Sequence, residues 1–228
     1  MKNHLKRIAS PKTWIINRKE NKFILRPTPG GHPLDNGMPL GVIMRDMLKL
    51  ASVMSEVKKI LNNKEVLVDG KRRKDHGFIV GLFDVISLPG LKKYYRLVLD
   101  SKGRIAFSEI DEKESKLKLS KVTGKTALKK GNVQFNLHDG KNIVANEKAK
   151  VGDSLLLELP KLTVKKVLPL KEGMRVFLTK GNHAGDSGTL KGLKGKEAKY
   201  FAREQEIETS KDYLFVVGEK ESEIKIGS

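Results

Sequence analysis

Clusters of lysine and arginine, joined by two histidines and one asparagine, are the side chains of this sequence that can do chemistry. Lysine and arginine donate charged hydrogen bonds to phosphate oxygens, and asparagine can read base edges. The densest cluster is the run of four cations at residues 71–74. The predicted phosphate and base contacts are Lys2, His4, Lys6, Arg7, Lys12, Arg18, Arg26, Arg45, Lys49, Lys58, Lys59, Lys71, Arg72, Arg73, Lys74, Lys180, Asn182, His183, Lys191 and Lys194. The chemistry they offer is reversible binding of a polyanion.

A glycine-rich segment at residues 170–190 presents some of these contacts. Alternating apolar residues over positions 174–178 predict a strand, which runs into Gly181, Gly185 and Gly188. Glycine permits positive φ and lets a backbone approach a ligand closely. The polar side chains between these glycines are therefore predicted to face a ligand.

The sequence gives no support for catalysis or for metal binding. It contains no cysteine, which excludes disulfides, thiolate catalysis and cysteine-based zinc sites. The five histidines lack metal-ligand spacing, and nothing around His183 suggests a nucleophile with its carboxylate. Gly124-Lys125-Thr126 ends like a phosphate-binding loop, but Leu119 stands where that motif requires glycine. We predict no catalytic residue, metal, cofactor or small-molecule substrate.

The composition indicates an anionic partner. The 228 residues include 46 lysines and arginines against 27 aspartates and glutamates, a formal net charge of +19. Such a surface suits nucleic acid or an anionic membrane. No apolar run reaches the roughly 18 residues of a membrane span, and the N-terminus lacks the apolar core of a signal peptide. Nucleic acid is therefore the predicted partner, with no membrane, and the lack of cysteine fits a reducing cytoplasm.

The chain divides into four predicted parts. Residues 1–42 carry 8 basic and 2 acidic side chains with little periodicity. This pattern predicts a basic arm over residues 1–40 that becomes ordered on its partner. Residues 41–90 combine two short helices with a basic hairpin, whereas residues 91–168 and 169–228 show short alternating strands. The predicted fold class is α+β, mostly β.

The sequence signals for helices are confined to residues 42–63. Apolar residues over positions 42–48 recur at helical spacing, with Arg45 and Lys49 on another face. Ser52 or Ser55 is a candidate cap for a second helix, and Asn62-Asn63 suits a left-handed stop. Trp14 stands alone among the cations of the arm, and we interpret it as a core anchor in preference to a base-stacking residue.

Strand and turn signals follow. Asp69-Gly70 predicts a tight turn after a strand at residues 66–68, and the four cations of residues 71–74 are expected at the hairpin tip. Residues 116–122 alternate and predict a strand with three lysines on one face. Several short strands of this kind favour small barrels or sandwiches over a parallel sheet.

Five segments, in order, carry a family resemblance. They are residues 4–14 (an N-terminal arm), 29–33 (Pro-Gly-Gly-His-Pro), 66–71 with 84–87, 135–143 (Phe-Asn-Leu-His-Asp-Gly-Lys-Asn-Ile) and 181–185 (Gly-Asn-His-Ala-Gly). The chain resembles, over nearly its full length, the archaeal and eukaryotic family of small-subunit ribosomal protein four. The end at Ser228 looks more archaeal than eukaryotic.

The resemblance implies a fold and a role. It implies an extended basic N-terminal arm, a small αL RNA-binding domain, a β-rich central domain and an SH3-like KOW β-barrel. It also implies a non-enzymatic constituent of the cytoplasmic small ribosomal subunit, with small-subunit ribosomal RNA and neighbouring small-subunit proteins as partners. Asp186 stands where the family often has a basic residue, which implies weaker phosphate binding at that point.

Three other functions remain open on the sequence. A free RNA-binding or RNA-modifying factor would share the αL domain, although a modifying enzyme needs a catalytic constellation. A KOW-type transcription elongation factor would explain the glycine-rich loop but not the αL segment or the basic arm. An architectural DNA-binding protein would be distinguished by its preference for DNA over RNA at matched salt.

Overall fold

The structure is a computed structural model that describes residues 4–145, 147–202 and 205–227. Antiparallel strands dominate these ranges, and the helices are few and short. The predicted class, α+β and mostly β, is confirmed. No helix in the described ranges is both long enough and apolar enough to cross a bilayer.

The opening segment is folded onto the rest of the chain. Strand β1 (Leu5–Lys6) pairs with β2 (Phe23–Ile24). Trp14 is 2% exposed, and its indole Nε1 donates to the Gly37 carbonyl at 2.8 Å. Trp14 is thus a core anchor, as interpreted. The expectation that only a partner orders this segment is corrected, because contacts within the chain already hold it.

Two helical pieces follow. Strand β3 (Gly37–Pro39) leads into α1 (Leu40–Val42), which continues as a single π-helical turn, Ile43–Met47. Helix α2 (Met54–Asn63) forms because Val57 and Leu61, one turn apart, are both buried on its inner face.

The ends of α2 differ from the predicted caps. The Glu56 carboxylate accepts hydrogen bonds from the backbone N–H groups of Ser52 and Val53, at 2.8 and 3.3 Å, so neither predicted serine caps the helix with its side chain. The helix ends at Asn63, and Lys64 is extended with φ of −111°. The predicted left-handed stop is therefore wrong.

A five-stranded antiparallel sheet follows α2. Its order is β5-β4-β7-β8-β9. These strands are β4 (Leu67–Val68), β5 (Lys71–Arg72), β7 (Val85–Leu88), β8 (Lys93–Leu99) and β9 (Ile105–Ile110), while β6 (Ile79–Gly81) pairs with β3. The sheet runs across residue 90, and the domain boundary proposed there stays a prediction.

The hairpin β4–β5 has the predicted turn. Asp69 and Gly70 both adopt positive φ, 52° and 71°, as a two-residue hairpin turn requires. They form the tip, and the cations of residues 71–74 lie on β5 and just beyond it. The expectation that these cations occupy the tip is corrected, because the two turn residues fill it.

A second five-stranded sheet forms the central region. It follows a single helical turn, α3 (Glu112–Ser115), and has the order β12-β11-β10-β13-β14. Its strands are β10 (Leu117–Ala127), β11 (Val133–Leu137), β12 (Asn142–Val144), β13 (Ser154–Glu158) and β14 (Thr163–Leu168). Strand β10 pairs with β13 along its first half and with β11 along its second. Its core is separate and includes buried Phe135, Leu155 and Leu157.

The C-terminal region is a third five-stranded antiparallel sheet, of order β18-β17-β16-β15-β19. Its strands are β15 (Arg175–Leu178), β16 (Ser187–Lys194), β17 (Glu197–Ala202), β18 (Gln205–Ser210) and β19 (Leu214–Gly218). A 3-10 turn, Lys211–Tyr213, precedes the last strand. Short strands in this sequential antiparallel order fit the expected small barrel.

An aromatic contact joins this C-terminal sheet to the helix–hairpin region. Phe83 is fully buried, with its ring centroid 4.7 Å from that of Phe215 and 5.7 Å from that of Phe177. Phe83 has φ of +65°, which is strained for a bulky side chain. Burial of the three rings offsets that strain, since such aromatic contacts add to the hydrophobic gain.

Candidate nucleic-acid interface

The second helix and the hairpin together form a basic surface. Lys58 and Lys59 are exposed on α2, and Lys71 and Arg72 are exposed on β5. The Arg72 guanidinium donates to the Asn62 carbonyl at 2.9 Å, which ties β5 to the end of α2. Because Lys58 and Asn62 are four residues apart, they share one helix face. The structure thus brings the predicted helix and hairpin cations together.

The other predicted cations of this region differ in how free they are to bind a phosphate. Lys49 is exposed and has φ of +51°, two residues after the end of the π-helical turn. Arg45 is partly buried, and its guanidinium binds both carboxylate oxygens of Asp46, at 2.6 and 2.8 Å. The Arg73 guanidinium stacks 4.1 Å from the centre of the Phe78 ring, whereas Lys74 is exposed.

Two of the predicted phosphate contacts in the opening segment, Arg7 and Arg18, are engaged by groups within the chain. Arg7 is 4% exposed and pairs with Glu20 and Asp46, at 3.4 and 3.9 Å, so its assignment as a phosphate contact is corrected. Burial of Arg7 follows from the docking of the segment by Trp14. Arg18 donates to the carbonyls of Ser10 and Pro11, at 2.7 and 2.6 Å, and so fixes a turn.

The remaining predicted residues of the segment are exposed. They are His4, Lys6, Lys12 and Arg26. The His4 ring meets the edge of the Phe23 ring at a centroid distance of 5.5 Å. Lys2 lies outside the described residues. RNA binding by these side chains stays a prediction.

The glycine-rich loop exposes its polar side chains and uses Gly185 for packing. Lys180, Asn182 and His183 are exposed. Gly185 has φ of +92°, and a Cβ there would lie 1.8 Å from the Asp100 carbonyl oxygen. This glycine therefore allows the loop to abut the β8–β9 turn, and not the approach of a ligand that we expected.

Two further features complete the loop region. Asp186 is buried, with its carboxylate 3.5 Å from Nδ1 of His183. This aspartate therefore faces the loop interior. On β16, Lys191 and Lys194 are exposed, and the Lys191 ammonium lies 5.5 Å from the centre of the Phe201 ring.

A buried charge cluster connects the helix–hairpin region to the central sheet. The Lys118 ammonium, on β10, lies 2.7 Å from Asp69 Oδ2 and 2.8 Å from Asp139 Oδ2, and it also donates to Asp84. These side chains are at most 6% exposed. Lys141 adds a second cation, which binds Asp69 and lies 3.3 Å from Asp139. The carboxylates converge as they would around a metal ion, but the ammonium of Lys118 stands between them.

Sequence reasoning missed this cluster. The alternation of residues 116–122 predicted lysines on one face of a strand, but Lys118 is fully buried while Lys116 is exposed. Nothing near Lys118 in sequence signals burial, because its three carboxylate partners lie 49, 34 and 21 residues away. Only pairing of distant segments could reveal it.

The charges of the cluster keep one another ionised. Burial is the largest single effect and would raise the pKa of Asp84 and of Asp139. The ammonium of Lys118, together with the other positive charges and hydrogen bonds around these carboxylates, outweighs burial and holds both pKa values below the ordinary range. Burial would likewise lower the pKa of Lys118, yet the surrounding carboxylates raise it well above its ordinary value.

A neutral histidine borders the cluster. Burial lowers the pKa of His138 to about 4, and the positive charge of Lys118 contributes in the same direction. Its Nδ1 accepts the backbone N–H of Lys121 at 3.2 Å, which assigns the ring proton to Nε2, 3.3 Å from the Leu82 carbonyl. His138 therefore links the central sheet to the helix–hairpin region without carrying charge.

The chain combines two short helices and a basic hairpin with the antiparallel sheets that follow. A family model described as the S4 domain matches residues 38–86, so the chain is an S4-domain protein. Two further family models, described as the RS4NT (NUC023) domain and as ribosomal family S4e, match residues 1–35 and 91–164. The chain belongs to the ribosomal protein family S4e.

Full-length relatives support this membership. The small ribosomal subunit protein eS4 of Methanocella arvoryzae is 40% identical over 222 residues, which covers 95% of this chain and 94% of that protein. The protein of the same name from Archaeoglobus fulgidus is 42% identical over 226 residues, covering 96% and 95%. The crystal structure of 30S ribosomal protein S4e from Thermoplasma acidophilum matches with a TM-score of 0.70 and 31% identity, over 81% of this chain and 96% of that one. The resemblance read from the sequence is confirmed.

Proposed function

We propose that this chain is a structural constituent of the small ribosomal subunit in the cytoplasm. It binds small-subunit ribosomal RNA, contacts neighbouring small-subunit proteins and supports subunit assembly and translation. It acts by binding and not by catalysis. The observation that carries the proposal is the basic surface formed by Lys58 and Lys59 of α2 with Lys71 and Arg72 of β5, within a chain of net charge +19. The names of its full-length relatives support the same role.

The physical basis is electrostatic positioning on folded RNA. Lysine and arginine contacts to phosphates fix the orientation of a protein but carry no sequence information. A-form RNA is recognised through its shape, phosphates and 2′-hydroxyls. Each phosphate contact releases counterions, so affinity falls as salt rises. A surface of exposed lysines held by a rigid helix and hairpin fits this mode.

A salt titration with two matched variants tests the RNA-binding surface. The surface variant replaces Lys49, Lys58, Lys59 and Lys71 by alanine, and Arg72 is kept because it holds Asn62. The control variant replaces four exposed lysines of the central region by alanine, namely Lys113, Lys129, Lys148 and Lys161. We expect the surface variant to flatten the slope of log affinity for small-subunit rRNA against log salt by about 3, from four lost phosphate contacts. Equal slopes in the two variants would refute the role of this surface.

Sedimentation tests the ribosomal role itself. The tagged chain is expressed in archaeal cells, and the lysate is run on a sucrose gradient before and after a high-salt wash. We expect the chain to migrate with the small subunit and to stay there at moderate salt. A chain that remains at the top of the gradient would instead support a free RNA-binding factor.

A further inference from the structure

A lysine-lined cleft opens where the helix–hairpin region, the central sheet and the C-terminal sheet meet. Its volume is about 740 Å³. Lys121 comes from β10, Lys180 from the glycine-rich loop, Lys196 from the β16–β17 turn and Lys211 from the 3-10 turn before β19. Asp212 is the acidic residue of the lining. The cleft therefore carries an excess of three positive charges.

These cations lack the partners that neutralise other lysines of the chain. Within the described ranges, none of the four forms an ion pair with a carboxylate, whereas Lys118 has three carboxylates around it. The ammonium of Lys121 donates to the carbonyls of Asp212 and Leu214, each at 2.8 Å. Carbonyl dipoles leave the net charge unchanged, so the cleft remains electropositive.

Lys180 and Lys211 are close enough to Lys121 to influence its charge. Burial lowers the pKa of Lys121 to about 8; the charge of Asp212 opposes this, and the charges of Lys211 and Lys180 lower it further. Mutual repulsion of this kind is relieved when an anion binds between the cations. The arrangement favours a phosphate group over a neutral ligand.

The size and walls of the cleft select one nucleotide. Small-ligand pockets occupy about 300–1,000 Å³, so a cleft of this size can hold a single nucleotide. It is too small to admit a double helix. The imidazole of His32, the ring of Pro33 and the side chain of Leu82 supply flat or apolar wall, and Asn36 supplies amide donors and acceptors. These groups suit a base, while the lysines suit its phosphate.

Two histidines of the cleft wall are held by contacts to residues behind them. His32 Nε2 lies 3.0 Å from Asp84 Oδ2, and the His138 ring meets the edge of the Phe215 ring at 5.2 Å. Both histidines line the cleft. A site held in shape before binding loses less entropy when it is occupied.

We propose that this cleft receives one unpaired nucleotide of ribosomal RNA, with its phosphate held by Lys180, Lys196 and Lys211. Bases in loops and bulges are free to leave the stack and enter protein pockets. The inference rests on the proposed function and adds to it a second RNA contact, apart from the helix–hairpin surface. It also gives the junction of the three regions a role, since the cleft exists only when all three are in place.

The test compares two triple variants of the full chain with small-subunit rRNA. The cleft variant carries Lys180→Ala, Lys196→Ala and Lys211→Ala, and the control carries Lys129→Ala, Lys148→Ala and Lys161→Ala. Affinity is measured across a salt series, and chemical probing identifies unpaired nucleotides that the protein protects. We expect the cleft variant to flatten the salt slope by about 2. We also expect it to lose protection of one unpaired nucleotide that the control still protects.

The outcomes separate the two proposals. A wild-type chain that does not bind rRNA would refute the proposed function. A wild-type chain that binds rRNA, with the cleft variant keeping every protected nucleotide, would refute the cleft alone. In a second arm, adenosine and uridine monophosphates are titrated by calorimetry into the wild-type chain and the cleft variant. Tight binding that needs the three lysines would assign the cleft to a free nucleotide and overturn the RNA assignment. Circular dichroism melts check that both variants are folded.

Discussion

Replacement of Lys118 by methionine removes the central charge of the buried cluster while keeping most of the side-chain volume. In the native chain this ammonium contacts Asp69, Asp84 and Asp139, all nearly inaccessible to solvent. After the substitution, Lys141 is the one lysine among the described residues that still pairs with them, and its side chain is 25% exposed. The perturbation therefore leaves buried carboxylates without adequate compensation.

The magnitude follows from the desolvation of those carboxylates. Removal of one partner from a buried ion pair costs about 3–5 kcal/mol, because the other charge stays buried. With a denaturant dependence of about 2 kcal/mol per molar urea, this corresponds to a fall of roughly 2 M in the unfolding midpoint. Whole domains are stable by only about 5–15 kcal/mol, so the loss is a large fraction of the total.

The pH dependence gives a second signature. Asp84 and Asp139 have pKa values below the ordinary carboxyl range, so their contribution is present above the unfolded-state pKa and is lost as pH falls through the folded-state values. Without Lys118, burial dominates and raises these pKa values instead. Protonation of Asp84 and Asp139 then removes the uncompensated buried charge. The loss of unfolding free energy in the variant, relative to the wild type, should therefore shrink from pH 7 to pH 5.

The assay is urea unfolding followed by Trp14 fluorescence and by circular dichroism at both pH values. Lys116→Met, at an exposed position just before β10, is the matched control and should unfold like the wild type. A triple variant with Lys118→Met, Asp84→Asn and Asp139→Asn should recover part of the loss, because it removes charge from both sides. A Lys118→Met midpoint within 0.3 M of the wild type, a value on the order of measurement error, would refute the reasoning.

Two further predictions concern His138 and Trp14. The folded-state pKa of His138 is about 4 against an ordinary value of 6.5, so its stabilising contribution is complete above pH 6.5 and is lost as pH falls toward 4. At pH 5 the loss is about 2 kcal/mol. The free energy of unfolding of His138→Gln should therefore change less between pH 7 and pH 5 than that of the wild type. An equal change in the two proteins would contradict the assignment. Trp14→Ala should weaken docking of the opening segment by about 3–5 kcal/mol, seen as faster trypsin cleavage within residues 4–36. Ile15→Ala, at a 39% exposed neighbour, is the control, and equal cleavage rates in the two variants would show that Trp14 does not anchor the segment.

Short-range features of this protein could be predicted from the sequence. The Asp69-Gly70 turn forms as predicted, because a two-residue turn depends on the φ values that those two residues tolerate. Trp14 was identified as an anchor since an isolated large apolar ring gains most by burial. The exposed cations of α2 and β5 were also predicted, because charged side chains on short amphipathic elements face solvent by default.

The pairing of distant segments was decided only by the tertiary structure. Arg7 and Lys118 look like any other cations of a +19 chain, yet each is buried against carboxylates far from it in sequence. The cleft is likewise invisible along the chain, since Lys121 and Lys211 are brought together only when the central and C-terminal sheets meet. Charge and periodicity were enough to predict a polyanion-binding protein built of small β-rich modules. Which cations are free to do so depends on long-range burial, and no local pattern encodes that.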